Sequence, residues 1–173
     1  MIDWSAEMRR MAAAREKVRQ ADADSLWRYD TPRPPASPER LREVAERLGH
    51  DLDSEYASFL LQADGWPALM QDVDLFGSEE LTGPRMDLAT ELLKTLEPEG
   101  LRRSRIDRDA LLPIAASTTT IDFFVMPVAE GSGSSPVIWI AGAEVERYPS
   151  FLAFFRAMIE ENLREANDLR VEG

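Results

Sequence analysis

The sequence predicts an α+β fold: a mostly antiparallel meander sheet, with N-terminal helices and a long C-terminal helix packed against it. Apolar residues recur at helical spacing as far as about Leu96, interrupted by one short strand-like stretch at Val73 to Phe76. Beyond the arginine-rich loop "LRRSRIDR" the period changes to short β-branched and aromatic runs separated by turn residues. A last stretch bears Phe151, Phe154, Phe155, Met158, Ile159 and Leu163 along a helical stripe. Helices, then strands, then a helix describe segregated elements, with helices expected to cover one face of the sheet.

The first element is a weakly amphipathic helix from about Asp3 to Ala23, with Trp4, Met8, Met11 and Val18 on one side and Arg15 and Asp22 interrupting the stripe. An interrupted seam buries too little for a coiled coil, so this helix is expected to lie on its own domain. "YDTPRPPAS" follows, and its run of prolines reads as an extended linker. Residues 1–36 are therefore expected to form an amphipathic helix and a Pro-rich linker, and residues 37–173 a single domain.

Ser37 and Pro38 supply a capping hydroxyl and a proline at the first helical position, ahead of the face Leu41, Val44, Ala45 and Leu48. Gly49 ends that helix as a left-handed cap. Asp53 or Ser54 caps the next helix, which buries Tyr56, Phe59, Leu60 and Ala63 before Asp64-Gly65 forces a turn. Val73, Leu75 and Phe76 suggest a short strand, and Met86 to Leu96 a further helix closed by Pro98 and Gly100. Beyond the arginine-rich loop "LRRSRIDR", the runs "LLPIA", "IDFFVMPV" and "VIWIAG" read as consecutive strands, with Glu144 to Tyr148 as a fourth. "EGSGSSP" is the expected hairpin loop, and Ser150 the cap of the final helix.

A chain of 173 residues that is 44% hydrophobic can bury the core of one ordinary domain. It has no cysteine, which removes disulfides, thiolate metal sites and cysteine nucleophiles. The N-terminus is charged throughout, and no stretch approaches the roughly 20 apolar residues of a membrane span. A soluble, cytoplasmic protein is the expectation. The net charge is −12, and residues 51–100 carry twelve acids against two bases. Such a field repels phosphate backbones and attracts basic partners, which disfavours direct nucleic-acid binding.

No catalytic constellation emerges. His50 is the only histidine and would have to support any histidine-assisted hydrolase alone. "GSGSS", Gly131 to Ser135, lacks the order of a nucleophile elbow and the Lys-Ser/Thr end of a phosphate loop. Asp51, Asp53 and Glu55 alternate as calcium ligands can, but without the glycine and terminal glutamate of a calcium loop. Asp72 and Asp74, two apart on a strand, are expected to project together into solvent or toward a partner. Neither an enzyme, a cofactor nor a metal is expected.

"PASPERLREVAERLGHDLDSEYASFLLQADGWP", followed by "DVDLFGSEEL", "LLPIAAS", a meander and "PSFLAFFRAMIEENL", resembles the SUKH superfamily, which includes bacterial toxin-immunity proteins and yeast regulators of cell-wall assembly. The resemblance spans about Ser37 to Leu163. It is most specific at Tyr56, Phe59, Leu60, Asp64, Gly65 and Trp66. The chain departs from the pattern at Ser117 to Thr120, "STTT", where many relatives carry a Gly-Asp-rich turn. The resemblance implies an α+β fold and binding of a protein partner, commonly a toxin domain. The expected partner surface is a rim bearing Asp64, Trp66, Asp72, Asp74, Glu79 and Glu80, with Trp66 itself folded back as core. The alternative is an intracellular scaffold of the cell-wall-regulator type, recruiting its partner through exposed Trp4, Met8 and Met11.

Overall fold

The computed structural model describes residues 1–97, 99, 107–128 and 134–172. Helix α1 (Trp4–Ala21) opens the chain, and α2 (Pro38–Leu48) and α3 (Ser54–Leu60) lead into β1 (Trp66–Met70) and β2 (Val73–Leu75). A single turn, α4 (Ser78–Leu81), and α5 (Pro84–Lys94) follow. A 3₁₀ turn (Arg108–Ala110) then enters β3 (Leu111–Ser117), β4 (Phe123–Pro127), β5 (Val137–Ile140) and β6 (Glu144–Tyr148), and α6 (Phe151–Glu172) completes the chain. The six strands form one antiparallel sheet in the order β1-β2-β3-β4-β5-β6, a meander. The α+β architecture is as the sequence predicts.

The helix ends behave as their sequences dictate. Ser37 Oγ accepts from Arg40 N at 3.1 Å, Gly49 sits at φ +79°, Asp53 accepts from Glu55 N and Tyr56 N, and Ser150 Oγ accepts from Ala153 N. The expected helix stop at Pro98 and Gly100, the stretch "LRRSRI" and most of the expected "EGSGSSP" hairpin loop lie outside the described residues.

Two elements go beyond the sequence reading. Strand β1 hides behind a turn signal, because Asp64-Gly65 and Pro67 both argue against a strand interior. β1 is an edge strand, where a proline costs no ladder bond. Helix α4 is four residues long and has no periodicity to read.

The core runs between sheet and helices. Phe154 of α6 packs on Phe124 of β4 at 5.1 Å and on Tyr148 of β6 at 5.8 Å, and α1 lies along α6. Phe123, Phe124, Val125 and Met126 are all buried, so burial at β4 extends to both faces. α1 is part of this core: Trp4 is 4% exposed and Met11 fully buried. The indole of Trp4 lies 5.4 to 5.7 Å from Phe59, Phe151 and Phe155 and donates to Ser58 Oγ at 2.7 Å. This corrects the expectation of Trp4 and Met11 exposed for recruitment; the interruption at Arg15 is itself buried, against Asn162 Oδ1 and the Tyr29 ring. The proline segment is hydrogen-bonded to the domain through Arg33 N to Gly65 O, Asp64 N to Pro34 O and Ala36 N to Leu60 O.

Candidate partner-binding surface

The turn at Asp64-Gly65 and the segment Phe76-Gly77 are pressed together backbone to backbone. Gly65 adopts φ +88°, and a Cβ there would lie 2.6 Å from Gly77 N; a Cβ on Gly77 would lie 2.1 Å from Asp64 O. This contact lets the Asp64 carboxylate cap α4, accepting from Ser78 N and Ser78 Oγ at 2.6 Å each. Glu80 closes the same turn from inside, accepting from Gly77 N at 2.9 Å and pairing with Arg33 at 2.6 Å. Burial pushes the Glu80 carboxyl up, but Arg33 and the Gly77 amide outweigh it and hold the group below its ordinary range. Glu79, beside it on α4, is exposed.

Asp74 sits elsewhere in this frame. Its Oδ1 accepts from Ala68 N and from Arg28, its Oδ2 from Arg85, each at 2.8 Å, and it is 9% exposed. Ala68 is left-handed at φ +50°, inside the irregular register of β1 against β2, so Asp74 pins the bulged amide. Trp66 is 2% exposed, packs 6.3 Å from Phe155 and donates its indole N–H to Asp30 O at 3.2 Å.

Asp72 lies at the opposite end of β2, in the β1–β2 turn. Its Oδ2 accepts from the hydroxyls of Ser117 (2.8 Å), Thr118 (3.3 Å) and Thr119. Burial raises the Asp72 carboxyl, and these three hydroxyls more than reverse it, leaving the group below its ordinary range. "STTT" thus forms a turn of hydroxyls around a carboxylate.

The structure therefore brings Asp64, Glu79 and Glu80 together at α4, sets Asp72 with Ser117 to Thr119 at the far end of β2, and holds Asp74 between two arginines. Asp72 and Asp74 do not project together into solvent. This is a correction with a simple cause: only Asp74 lies within β2, and the stretch between α1 and the prolines covers it by way of Arg28. The missed participants are Ser117, Thr118 and Thr119. Their signal was the polar run in place of a Gly-Asp turn, since hydroxyl-rich turns serve as donor sets.

The other candidates are used structurally. Asp53 caps α3 and accepts from Ser135 N at 2.9 Å, Glu55 accepts from Leu152 N, and His50 Nδ1 lies 2.9 Å from Asp51 O. Among the described residues no three His, Cys, Asp or Glu side chains form a metal-holding group, and no helix is long and apolar enough to cross a membrane. A search of the curated proteins finds no match to the chain. The model of the SMI1 / KNR4 family (SUKH-1) matches residues 35–157, from the proline segment through α2 to α5 and the whole sheet to the first turns of α6, and the chain belongs to that family.

Proposed function

We propose that this chain is a non-enzymatic binding module that acts as an immunity protein, occluding a basic bacterial toxin domain of the nuclease type. The observation that carries the proposal is family membership over residues 35–157, which supports a non-catalytic, protein-binding role. The net charge of −12 supports a basic partner, because a concentrated negative field accelerates encounter with a cationic one. Of the six residues expected at the interface, Glu79 is exposed and Asp64 and Asp72 are half-buried, so these three are proposed to meet the partner directly. Trp66, Asp74 and Glu80 support that surface from beneath.

The scaffold alternative drew on an exposed apolar face of the first helix, and the burial of Trp4 and Met11 removes that basis. The test is affinity capture from the native lysate at low and at high salt, followed by neutralisation of the captured protein's toxicity on co-expression. One basic toxin-domain partner, weakened at high salt and neutralised by this chain, supports the reading. Salt-insensitive capture of envelope-assembly proteins with no neutralisation overturns it.

A further inference from the structure

A cavity of about 130 Å³ opens beside the Asp72 turn, with Met70 and Val73 as apolar lining and Trp27, Asp72, Thr119, Asp122, Trp139 and Glu161 around it. Its carboxylates are half-buried. Of the buried acids, Glu7, Asp74 and Glu80 each have an arginine, while Asp22 and Asp53 are tied down by backbone amides of the loops and caps around them. Asp72 and Asp122 are held by neutral donors alone: the three hydroxyls on Asp72, and on Asp122 the Thr120 hydroxyl (2.6 Å) and the Trp139 indole N–H (2.7 Å). Among the described residues neither has a cationic partner. Glu161 pairs, among the described residues, with Arg164, which is exposed.

The walls favour a cation as well. Trp27 and Trp139 are both half-buried; Trp139 is stacked on Phe124 at 5.5 Å and Trp27 is anchored by its N–H to Glu165 Oε1 at 2.9 Å. Two fixed indoles beside unneutralised carboxylates attract a cation by quadrupole and by charge together. The three carboxylates do not converge as a metal-holding group, which disfavours a small hard ion. A planar guanidinium meets these conditions better than a compact ammonium, because it stacks on an indole while its forked N–H groups reach carboxylates set apart.

We infer that this cavity is the receptor for one arginine side chain of the basic protein partner, an inference that rests on the immunity reading. The arginine would stack against Trp139 or Trp27 and pair with Asp72 and Asp122, a contact that fixes register while the wider field sets the encounter rate.

The probe is N-acetyl-arginine amide, titrated into the ¹⁵N-labelled chain while its four indole N–H signals are followed by NMR, each assigned by Trp→Phe substitution. The Trp27 and Trp139 signals should move with an apparent Kd on the order of millimolar, as for a single charge-assisted contact, while Trp4 and Trp66 stay in place. The neutral citrulline analogue should leave all four unmoved, and Asp122→Asn with Glu161→Gln should abolish the arginine response while the Trp4 and Trp66 signals confirm the fold. Equal shifts with citrulline, an undiminished response in the double variant, or no shift overturns the site. A lysine amide that binds as tightly overturns the guanidinium assignment. If no toxin is ever neutralised but the arginine shifts appear, the immunity reading fails and the cavity stands. If a basic partner is captured and its dissociation rate is unaffected by the double variant, the cavity fails and the reading stands.

Discussion

The carboxylate of Asp74 is bonded to the guanidinium of Arg28, 46 residues earlier in the chain, at 2.8 Å, and this pair fastens the segment after α1 onto the sheet. With Arg85 on its other oxygen and the Ala68 amide alongside, Asp74 has a donor on every side. An acid that a linear reading assigns to a partner is an organising centre of the fold.

Asp74→Asn should therefore destabilise the protein without slowing association with its partner in proportion. Losing both ion pairs of a carboxylate that is 9% exposed should cost about 3 kcal/mol. The value sits at the low end of the range for such pairs because Arg28 and Arg85 can turn to water. Urea denaturation followed by tryptophan fluorescence should show the midpoint fall with an unchanged slope.

Gly77→Ala should be far worse than Gly49→Ala. At Gly77 the new methyl would meet the Asp64 carbonyl at 2.1 Å, with backbone on both sides of the clash. At Gly49 nothing lies within 4 Å, and only the left-handed φ is penalised. The expected losses are about 1 kcal/mol for Gly49→Ala and more than about 3 kcal/mol for Gly77→Ala, a severe overpacking. Comparable midpoints for the two variants would refute the backbone contact.

Acid should loosen the α4 turn. The Glu80 carboxyl is held below its ordinary value of 4.5 in the folded state, chiefly by Arg33 against the opposing effect of burial. Its contribution is complete above pH 4.5 and is lost as the pH falls through the lower folded value. Glu80→Gln should flatten the stability profile below pH 4.5 relative to the wild type while lowering stability at pH 7. Chemical denaturation at a series of pH values checks both signs.

Trp4→Ala should cost about 3–5 kcal/mol, as for a large aromatic removed from a packed core. The indole contacts three phenylalanines and bonds to Ser58, so the loss cannot be local to α1. Near-ultraviolet circular dichroism should show weakened packing across α3 and α6. A Trp4→Ala variant with wild-type stability and lost partner binding would instead restore a recruiting role for α1.

Much of the fold was legible because its signals are local. A hydroxyl before Pro38, a glycine after Leu48, Asp53 ahead of α3 and Ser150 ahead of α6 each specify a helix end within a few residues. The runs from Leu111 to Tyr148 specify strands by side-chain shape alone. β1 and α4 were illegible for the opposite reason. Trp66-Pro67 carries turn chemistry inside an edge strand, and four residues are too few to show a period.

The candidate site divides along the same line. The sequence by itself determined the residue types, the helix caps, the turn glycine at Gly65 and the excess of acids in residues 51–100. Only the tertiary structure decided which acids face outward. It set Arg28 against Asp74 and Arg33 against Glu80, leaving Glu79 exposed and Asp72 among hydroxyls. Charge counted along a chain is blind to pairs formed across the fold. A Coulomb interaction at 3 Å depends on where the backbone carries each group, and the segment after α1 places Arg28 over Asp74 of β2 and Arg33 over Glu80 of α4.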